Sequence, residues 1–294
     1  MLKKISLLLS LIILAACDND KSEPVTPIPQ PTLRQACYCT EMRFDSWSGK
    51  GSYKYYYDYF NRLNQINFYT VDKGFDGNDY DRLWRYDKFE YDAKGNIIKV
   101  KVYNSFTGDW NVALEANYSS NGLLAEKKEY TLSRPYPYQN SINNIVTYQY
   151  SSATQLLSSK TTFRDKDGGT SLLSYHYGAD GVLTKNYDSS TRTDTGYRAK
   201  IEYTFDDNAH PLAASPAYLK LVGEDFTALP VNVRYPNVLK YEYSDSENGV
   251  EPTLYEPISY NATFEYNSAG YPIKETVTYL DGKVDTYTYS YDCK

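Results

Sequence analysis

Residues 88–103 read Lys88-Phe89-Glu90-Tyr91-Asp92-Ala93-Lys94-Gly95-Asn96-Ile97-Ile98-Lys99-Val100-Lys101-Val102-Tyr103. Apolar or aromatic residues alternate with polar ones before Asp92 and again after Asn96, which is the two-residue period of a β-strand. Asp92 to Gly95 separates the two runs, and a glycine there suits the positive φ of a tight turn. The stretch therefore predicts a β-hairpin.

This hairpin unit recurs along the chain. An aromatic residue is followed by Gly or Asn four positions later and by an apolar residue or proline six positions later, at Tyr57/Asn61/Leu63, Tyr91/Gly95/Ile97, Tyr118/Gly122/Leu124, Tyr177/Gly181/Leu183 and Tyr266/Gly270/Pro272. Two weaker copies keep the spacing and lose the glycine, at Tyr150/Thr154/Leu156 and Phe205/Ala209/Pro211. A period of roughly 30 residues with two strands per unit predicts an all-β chain, a long antiparallel meander of about fourteen to sixteen strands.

A meander of this length is expected to curl or to close into a barrel, because closure removes unpaired strand edges. The barrel is expected to be soluble. Simple alternation after Gly122 places Leu124, Glu126 and Lys128 on one face and Lys127 and Glu129 on the other, whereas a membrane-spanning strand needs one apolar face. Ser215 followed by Pro216 predicts one short helical insertion, near 215–223.

The first residues predict an address outside the cytoplasm. Lys3 and Lys4 precede an apolar run at 5–14, and the run is shorter than the roughly 20 residues that cross a bilayer. Leu14-Ala15-Ala16-Cys17 then resembles the lipobox of bacterial lipoproteins. We therefore expect a signal peptide at 1–16, lipid attachment at Cys17, an acidic and proline-rich tether at 17–35, and a single repeat-built β domain at 36–294.

Three cysteines remain beside Cys17. In an oxidising compartment one pair is expected, and we predict a disulfide from Cys37 or Cys39 to Cys293 that joins the first strand to the last. The alternative, three unpaired thiols, stays open at this point. No zinc site is predicted, because the fourth ligand is missing.

Two resemblances accompany these motifs. Tyr91-Asp92-Ala93-Lys94-Gly95-Asn96-Ile97 resembles the YD repeat of Rhs and teneurin shells. The whole chain resembles a group of uncharacterised Bacteroidetes lipoproteins with a porin-like β fold, on the lipobox and tether, the Gly-Tyr-Pro-Ile turn at 270–273, the segment from Asp206 to Leu212, and the run from Tyr235 to Tyr243. The second resemblance implies a porin-like barrel, and neither implies a catalytic residue.

The resemblance also bears on location. Acidic residues directly after Cys17 resemble the surface-export signals of Bacteroidetes lipoproteins. This favours a lipid anchor in the outer membrane with the protein at the cell surface, and the periplasmic face is the alternative.

Composition excludes some functions. Removal of the signal peptide takes away two lysines and no acid, which moves the formal net charge from -6 to -8, so no nucleic-acid partner is expected. The chain has only 2 histidines, and it lacks phosphate-loop, nucleophile-elbow and metalloprotease motifs. We therefore predict no enzyme activity, no cofactor and no metal.

Aromatic residues carry the remaining functional prediction. Trp47, Trp84 and Trp110 are candidates for stacking on a ligand, whereas most of the 34 tyrosines are expected to hold the sheet together through cross-strand pairs. The sequence thus favours a non-enzymatic binding or interaction module for a glycan or a protein. The alternative is a structural scaffold or accessory subunit of a cell-envelope complex.

Overall fold

A computed structural model describes residues 36–74, 78–104, 108–130, 142–150, 156–164, 169–177, 183–190, 198–222, 237–246 and 253–294. Within them lie one helix, α1 (Pro216–Val222), and seventeen strands, β1 (Cys37–Ser46), β2 (Gly49–Tyr57), β3 (Leu63–Lys73), β4 (Asp79–Tyr91), β5 (Ile97–Asn104), β6 (Asp109–Tyr118), β7 (Leu124–Tyr130), β8 (Ile142–Tyr150), β9 (Leu156–Phe163), β10 (Thr170–Tyr177), β11 (Leu183–Ser190), β12 (Arg198–Phe205), β13 (Val238–Ser246), β14 (Thr253–Leu254), β15 (Tyr260–Tyr266), β16 (Pro272–Tyr279) and β17 (Val284–Cys293). The predicted all-β meander is confirmed. The described residues hold seventeen strands where about fourteen to sixteen were expected, and one of the seventeen is the two-residue β14. The signal peptide, Cys17, the tether and the turn at Gly181 lie outside the described residues.

The strands form one antiparallel sheet in chain order. Each strand pairs with the next except at the short β14, which pairs only with β13, and β13 pairs with β15 as well. The last strand returns to the first, with β17 pairing along β1 from Cys293 opposite Cys37 to Thr286 opposite Asp45. The paired strands therefore form a ring. The shortest pairing in this ring is between β13 and β15, where only two residue pairs are in register.

The repeated turn has one geometry. Gly95 has φ of 84°, as predicted, and Asn61 holds the same place in its unit with φ of 57°. The carboxylate of Asp92 accepts hydrogen bonds from the backbone N–H groups of Lys94 and Asn96, at 2.8 and 2.9 Å. Side chains at the same place close the equivalent turns, at Asp58, Ser119 and Asn267. These four turns mark what we call the repeat-turn end of the sheet.

Each turn is followed by a β-bulge that sequence alternation did not predict. Tyr118 pairs with Leu124, but the preceding Asn117 pairs with Glu126, so one extra residue is inserted after the turn. The same shift follows Tyr57, Tyr91, Tyr150, Tyr177 and Tyr266. A bulge re-aims the side chains beyond it. The predicted faces of β7 were therefore wrong in register, because Leu124 and Lys127 are both buried while Glu126 is only half-buried.

The repeat tyrosines connect neighbouring units. The hydroxyl of Tyr118 donates to the carbonyl of Ile97 at 2.9 Å, and that of Tyr150 donates to Leu124 at 3.0 Å. Tyr91 bonds in the same way to Leu63. At the two ends of the chain the acceptors are Cys39 and Pro272, reached by the hydroxyls of Tyr57 and Tyr291. We call this set of contacts the tyrosine ladder, and it gives the repeated aromatic residue a structural role.

The core lies on the inner face of the sheet near the repeat-turn end. The apolar residue after each turn is fully buried there, as at Leu63, Ile97 and Leu124. Leu219 and Leu221 of α1 join the same cluster. The predicted helical insertion is thus confirmed and covers part of the inner face. The weak copy at Phe205 differs from its prediction, since Phe205 pairs with Val238 instead of a strand at Pro211 and the inserted segment replaces the turn.

The first and last strands are joined covalently. Cys37 is disulfide-bonded to Cys293, which is one of the two pairings expected. Cys39 keeps a free thiol, and its burial raises the pKa of that thiol to about 12. At neutral pH it is therefore uncharged and a poor nucleophile.

The outer face of the central strands is charged. Lys99 pairs with Glu115 across β5 and β6, and Lys128 pairs with Glu126 on β7. Such a face suits water better than acyl chains. Separately, no helix among the described residues is long and apolar enough to span a membrane.

Candidate functional site

The three predicted tryptophans are all at the surface. Trp47, Trp84 and Trp110 are 61%, 54% and 38% exposed, so none is a core residue. Trp47 lies in the turn between β1 and β2, where its backbone N–H donates to Asp285 and the ammonium of Lys283 lies 4.5 Å from its ring centre. Trp84 lies in β4 and Trp110 in β6. The ring contacts of the described residues join none of the three to another.

Trp110 belongs to a group of rings on adjacent strands, which we call the outer aromatic cluster. Tyr86 of β4 and Tyr103 of β5 stack at 4.4 Å with an interplanar angle of 12°. Trp110 meets them edge-on, with ring centres at 5.2 and 5.5 Å. The ammonium of Lys88 lies 4.6 Å from the Trp110 ring centre. The cluster faces away from the core, because Phe89 on the opposite side of β4 is buried.

Polar groups continue the same face onto β2 and β3. Asn67 pairs with Tyr86 in register, and Lys54 pairs with Asn67. The Asn67 amide donates to the hydroxyl of Tyr69 at 3.3 Å and receives a hydrogen bond from Gln65 at 2.6 Å. Aromatic rings beside fixed amide groups are the surface that sugars need, since a sugar offers one apolar face and a rim of hydroxyls.

A cleft lies further along the outer face, toward the end opposite the repeat turns. Its volume is about 350 Å³, and its charged lining residues are Arg43, Asp45, Lys50, Asp79 and Asp81. Arg43 reaches from β1 toward β4, with Nη2 at 3.9 Å from Oδ2 of Asp81, and Lys50 pairs with Asp45 at 2.6 Å. These ion pairs are exposed and contribute little stability, so their charged groups are available to a polar ligand.

Two lysines of this face differ from its other cations. Arg43, Lys99 and Lys101 each pair with a glutamate. Lys54 and Lys88 instead lie over the rings of Tyr69 and Trp110. Within the described residues neither lysine takes part in an ion pair, so both ammonium groups can meet an acidic group of a ligand.

The two histidines lie on separate elements of the chain. Nδ1 of His210 accepts a hydrogen bond from the backbone N–H of Leu212 at 3.1 Å, and burial lowers the pKa of His210 to about 4. Nearby Asp206 accepts hydrogen bonds from Asn237 and from the hydroxyl of Tyr266. These contacts fix the inserted segment. His176 lies in β10 opposite Lys185. Among the described residues, no three His, Cys, Asp or Glu side chains are placed to hold a metal.

Sequence reasoning found Trp110 but missed its partners. Tyr86, Tyr103 and the cleft residues come together only through the registers of β1 to β6 and of β17 with β1, and one sequence does not fix these registers. The pattern of Tyr86 and Lys88 on alternate positions of one strand was the available signal, because such residues share a face.

Comparison with known proteins identifies the fold. No protein-family model matches the chain, and no curated protein matches it. A porin-like protein from Bacteroides vulgatus superposes with a TM-score of 0.55 at 13% identity, over 87% of this chain and 99% of that chain. A porin-like protein from Bacteroides uniformis gives 0.51 at 9% identity, over 86% and 96%. At these identities the likeness establishes a shared porin-like β fold.

A weaker match involves a toxin shell. The Photorhabdus luminescens Tc holotoxin pore superposes with a TM-score of 0.32 at 14% identity, over 77% of this chain and 12% of that chain. A superposition of this quality supports no argument about fold or function. The resemblance to YD repeats therefore stays a prediction.

Proposed function

We propose that the protein is a lipid-anchored, extracytoplasmic binding module that holds a glycan on the outer face of β1 to β6 and catalyses no reaction. The outer aromatic cluster carries this proposal, because three rings are held at the surface by one another and by a lysine. Core packing does not explain their position. A glycan is favoured over a protein partner, since the rings lie among amides and charged groups and not in an apolar patch.

The charged groups of this face indicate which class of glycan it would bind. Lys54 and Lys88 are cations without a carboxylate partner among the described residues, and an ammonium next to a bound sugar favours an acidic group. We therefore favour an anionic glycan, such as one that carries uronic acids. Polygalacturonate and its methyl ester make a matched pair of probes, because they share a backbone and differ in charge.

A glycan array followed by titration tests the proposal. Trp110→Ala is expected to weaken binding about tenfold, as the loss of one stacked ring. Trp47→Ala is the control, because this tryptophan is also exposed but lies in a turn outside the cluster. If the array shows no ligand, or if both variants bind like the wild type, the glycan-binding proposal is wrong. Co-purification with an envelope protein would then support the scaffold alternative.

The anchor is tested separately. Cys17→Ser should move a folded protein from the membrane fraction to the soluble fraction, because the acyl chains supply the membrane hold in this proposal. Retention of the variant in the membrane would contradict both the anchor and the water-facing outer surface. Surface labelling of intact cells distinguishes the cell surface from the periplasmic face.

A further inference from the structure

The turn between β2 and β3 presents two exposed aromatic side chains. Tyr59 is 95% exposed and Phe60 is 71% exposed. Their rings meet edge-on at 5.6 Å. A single exposed aromatic residue is common on the surface of a soluble protein. Two adjacent ones at a turn form a small apolar projection, which is a feature of surfaces that contact a partner or a membrane.

The turn that carries them is firmly held. The Asp58 carboxylate accepts hydrogen bonds from the backbone N–H groups of Phe60 and Arg62, both at 2.9 Å, and from Nε of Arg62 at 2.8 Å. The Arg62 guanidinium also lies 4.6 Å from the ring centre of Tyr91. The backbone therefore fixes the projection, and the exposure of the two rings is built into the turn.

The position of the turn points to the membrane. Nζ of Lys294 donates to the side chain of Asn61 at 3.1 Å, and the backbone N–H of Lys294 donates to the carbonyl of Ala36 at 3.0 Å. The chain that runs from Cys17 thus joins the sheet within one lysine side chain of the aromatic turn. Lys294 and Arg62 beside it are paired with Asp292 and Asp58, so contact with a bilayer depends on the two rings and not on these charges.

We propose that Tyr59 and Phe60 form a membrane-contacting tip that enters the headgroup layer and sets the orientation of the sheet on the bilayer. Aromatic side chains favour this layer, where the ring meets apolar chains and the phenol hydroxyl meets water. Two rings bind weakly alone, but an anchor at Cys17 keeps them at a high effective concentration near the surface. The proposal rests on the proposed lipid anchor. In this orientation the opposite end of the sheet, where the cleft lies, points away from the membrane.

Fluorescence quenching in proteoliposomes tests the tip. The lipidated full chain is placed in vesicles of phosphatidylethanolamine and phosphatidylglycerol with a fraction of dibrominated phosphatidylcholine, which quenches tryptophan on contact. Tyr59→Trp adds a reporter at the tip. Tyr80→Trp is the matched control, because it is also an exposed tyrosine and lies eleven positions before Tyr91 in β4, about 36 Å from the repeat-turn end.

The added fluorescence of Tyr59→Trp is expected to be quenched severalfold more strongly than that of Tyr80→Trp. Adding Phe60→Ser to Tyr59→Trp should reduce this quenching without changing the circular dichroism spectrum. Equal quenching of the two reporters on vesicle-bound protein would overturn the tip and leave the anchor intact. Lipidated protein that does not sediment with vesicles would overturn the anchor and, with it, the tip.

Discussion

Removing one hydroxyl from the tyrosine ladder should destabilise the protein measurably. In Tyr118→Phe the ring stays, but the carbonyl of Ile97, a fully buried residue, loses its 2.9 Å hydrogen bond. A neutral hydrogen bond contributes about 1 kcal/mol net, and the loss of one partner of a buried carbonyl adds part of its desolvation cost, so we expect a loss of about 1–2 kcal/mol. For a domain of this size this corresponds to a fall in Tm of about 2–4 °C per kcal/mol.

Urea unfolding followed by circular dichroism, with the disulfide intact, measures this loss as a shift of the midpoint at constant m value. Tyr59→Phe is the matched control, because its hydroxyl is exposed and its removal should change the free energy of unfolding by less than about 0.5 kcal/mol. Tyr150→Phe repeats the test one unit further along the chain. If Tyr118→Phe and Tyr150→Phe are as stable as the control, the tyrosine ladder does not hold the units together.

Three further predictions concern the ring, the inserted segment and the turn. Replacing Cys37 and Cys293 by serine should lower the free energy of unfolding by up to about 5 kcal/mol, because their disulfide restricts a very long loop in the unfolded chain; unchanged denaturant midpoints would contradict this. The pKa of His210, about 4, is below its value in the unfolded chain, so the unfolded state takes up a proton at a higher pH than the folded state. Up to about 3 kcal/mol of stability should therefore be lost as the pH falls from about 6.5 to 4. In His210→Gln the free energy of unfolding should depend less on pH over this range, and an unchanged dependence would assign the effect to other groups. Gly95→Ala should cost about 1 kcal/mol because φ is 84°, whereas Gly95→Asn should cost less, as Asn61 tolerates the same place; equal thermal shifts for the two variants would show that turn conformation is not the cause.

The turns and the hairpins could be predicted from the sequence because their causes are local. A glycine four positions after Tyr91 indicates a positive φ, and alternation on both sides indicates strands. The bulge after each turn has no such signal, because Ile97 and Ile98 are both apolar and either suits the core. Only the pairing shows that Ile97 is fully buried and Ile98 is 36% exposed.

The candidate site could be predicted only in part for the same reason. Trp110 was an obvious candidate from its residue type, but its contacts with Tyr86 and Tyr103 depend on the registers of three strands. The cleft depends on five strands, including β17 from the other end of the chain. Long-range register is set by the sum of many pairings, and a single sequence does not display that sum.

The tyrosine ladder has a consequence for how such proteins change in evolution. The units of Tyr91 and Tyr118 each have their own turn, bulge and tyrosine, and the hydroxyl of each tyrosine bonds to the unit before it. A unit can therefore be duplicated or lost as a whole, and the neighbours that it leaves behind meet through the same contacts. The number of strands in the ring then changes in steps of two while every strand stays paired. The interior and the outer surface become larger or smaller, and the contacts between neighbouring units stay of the same kind.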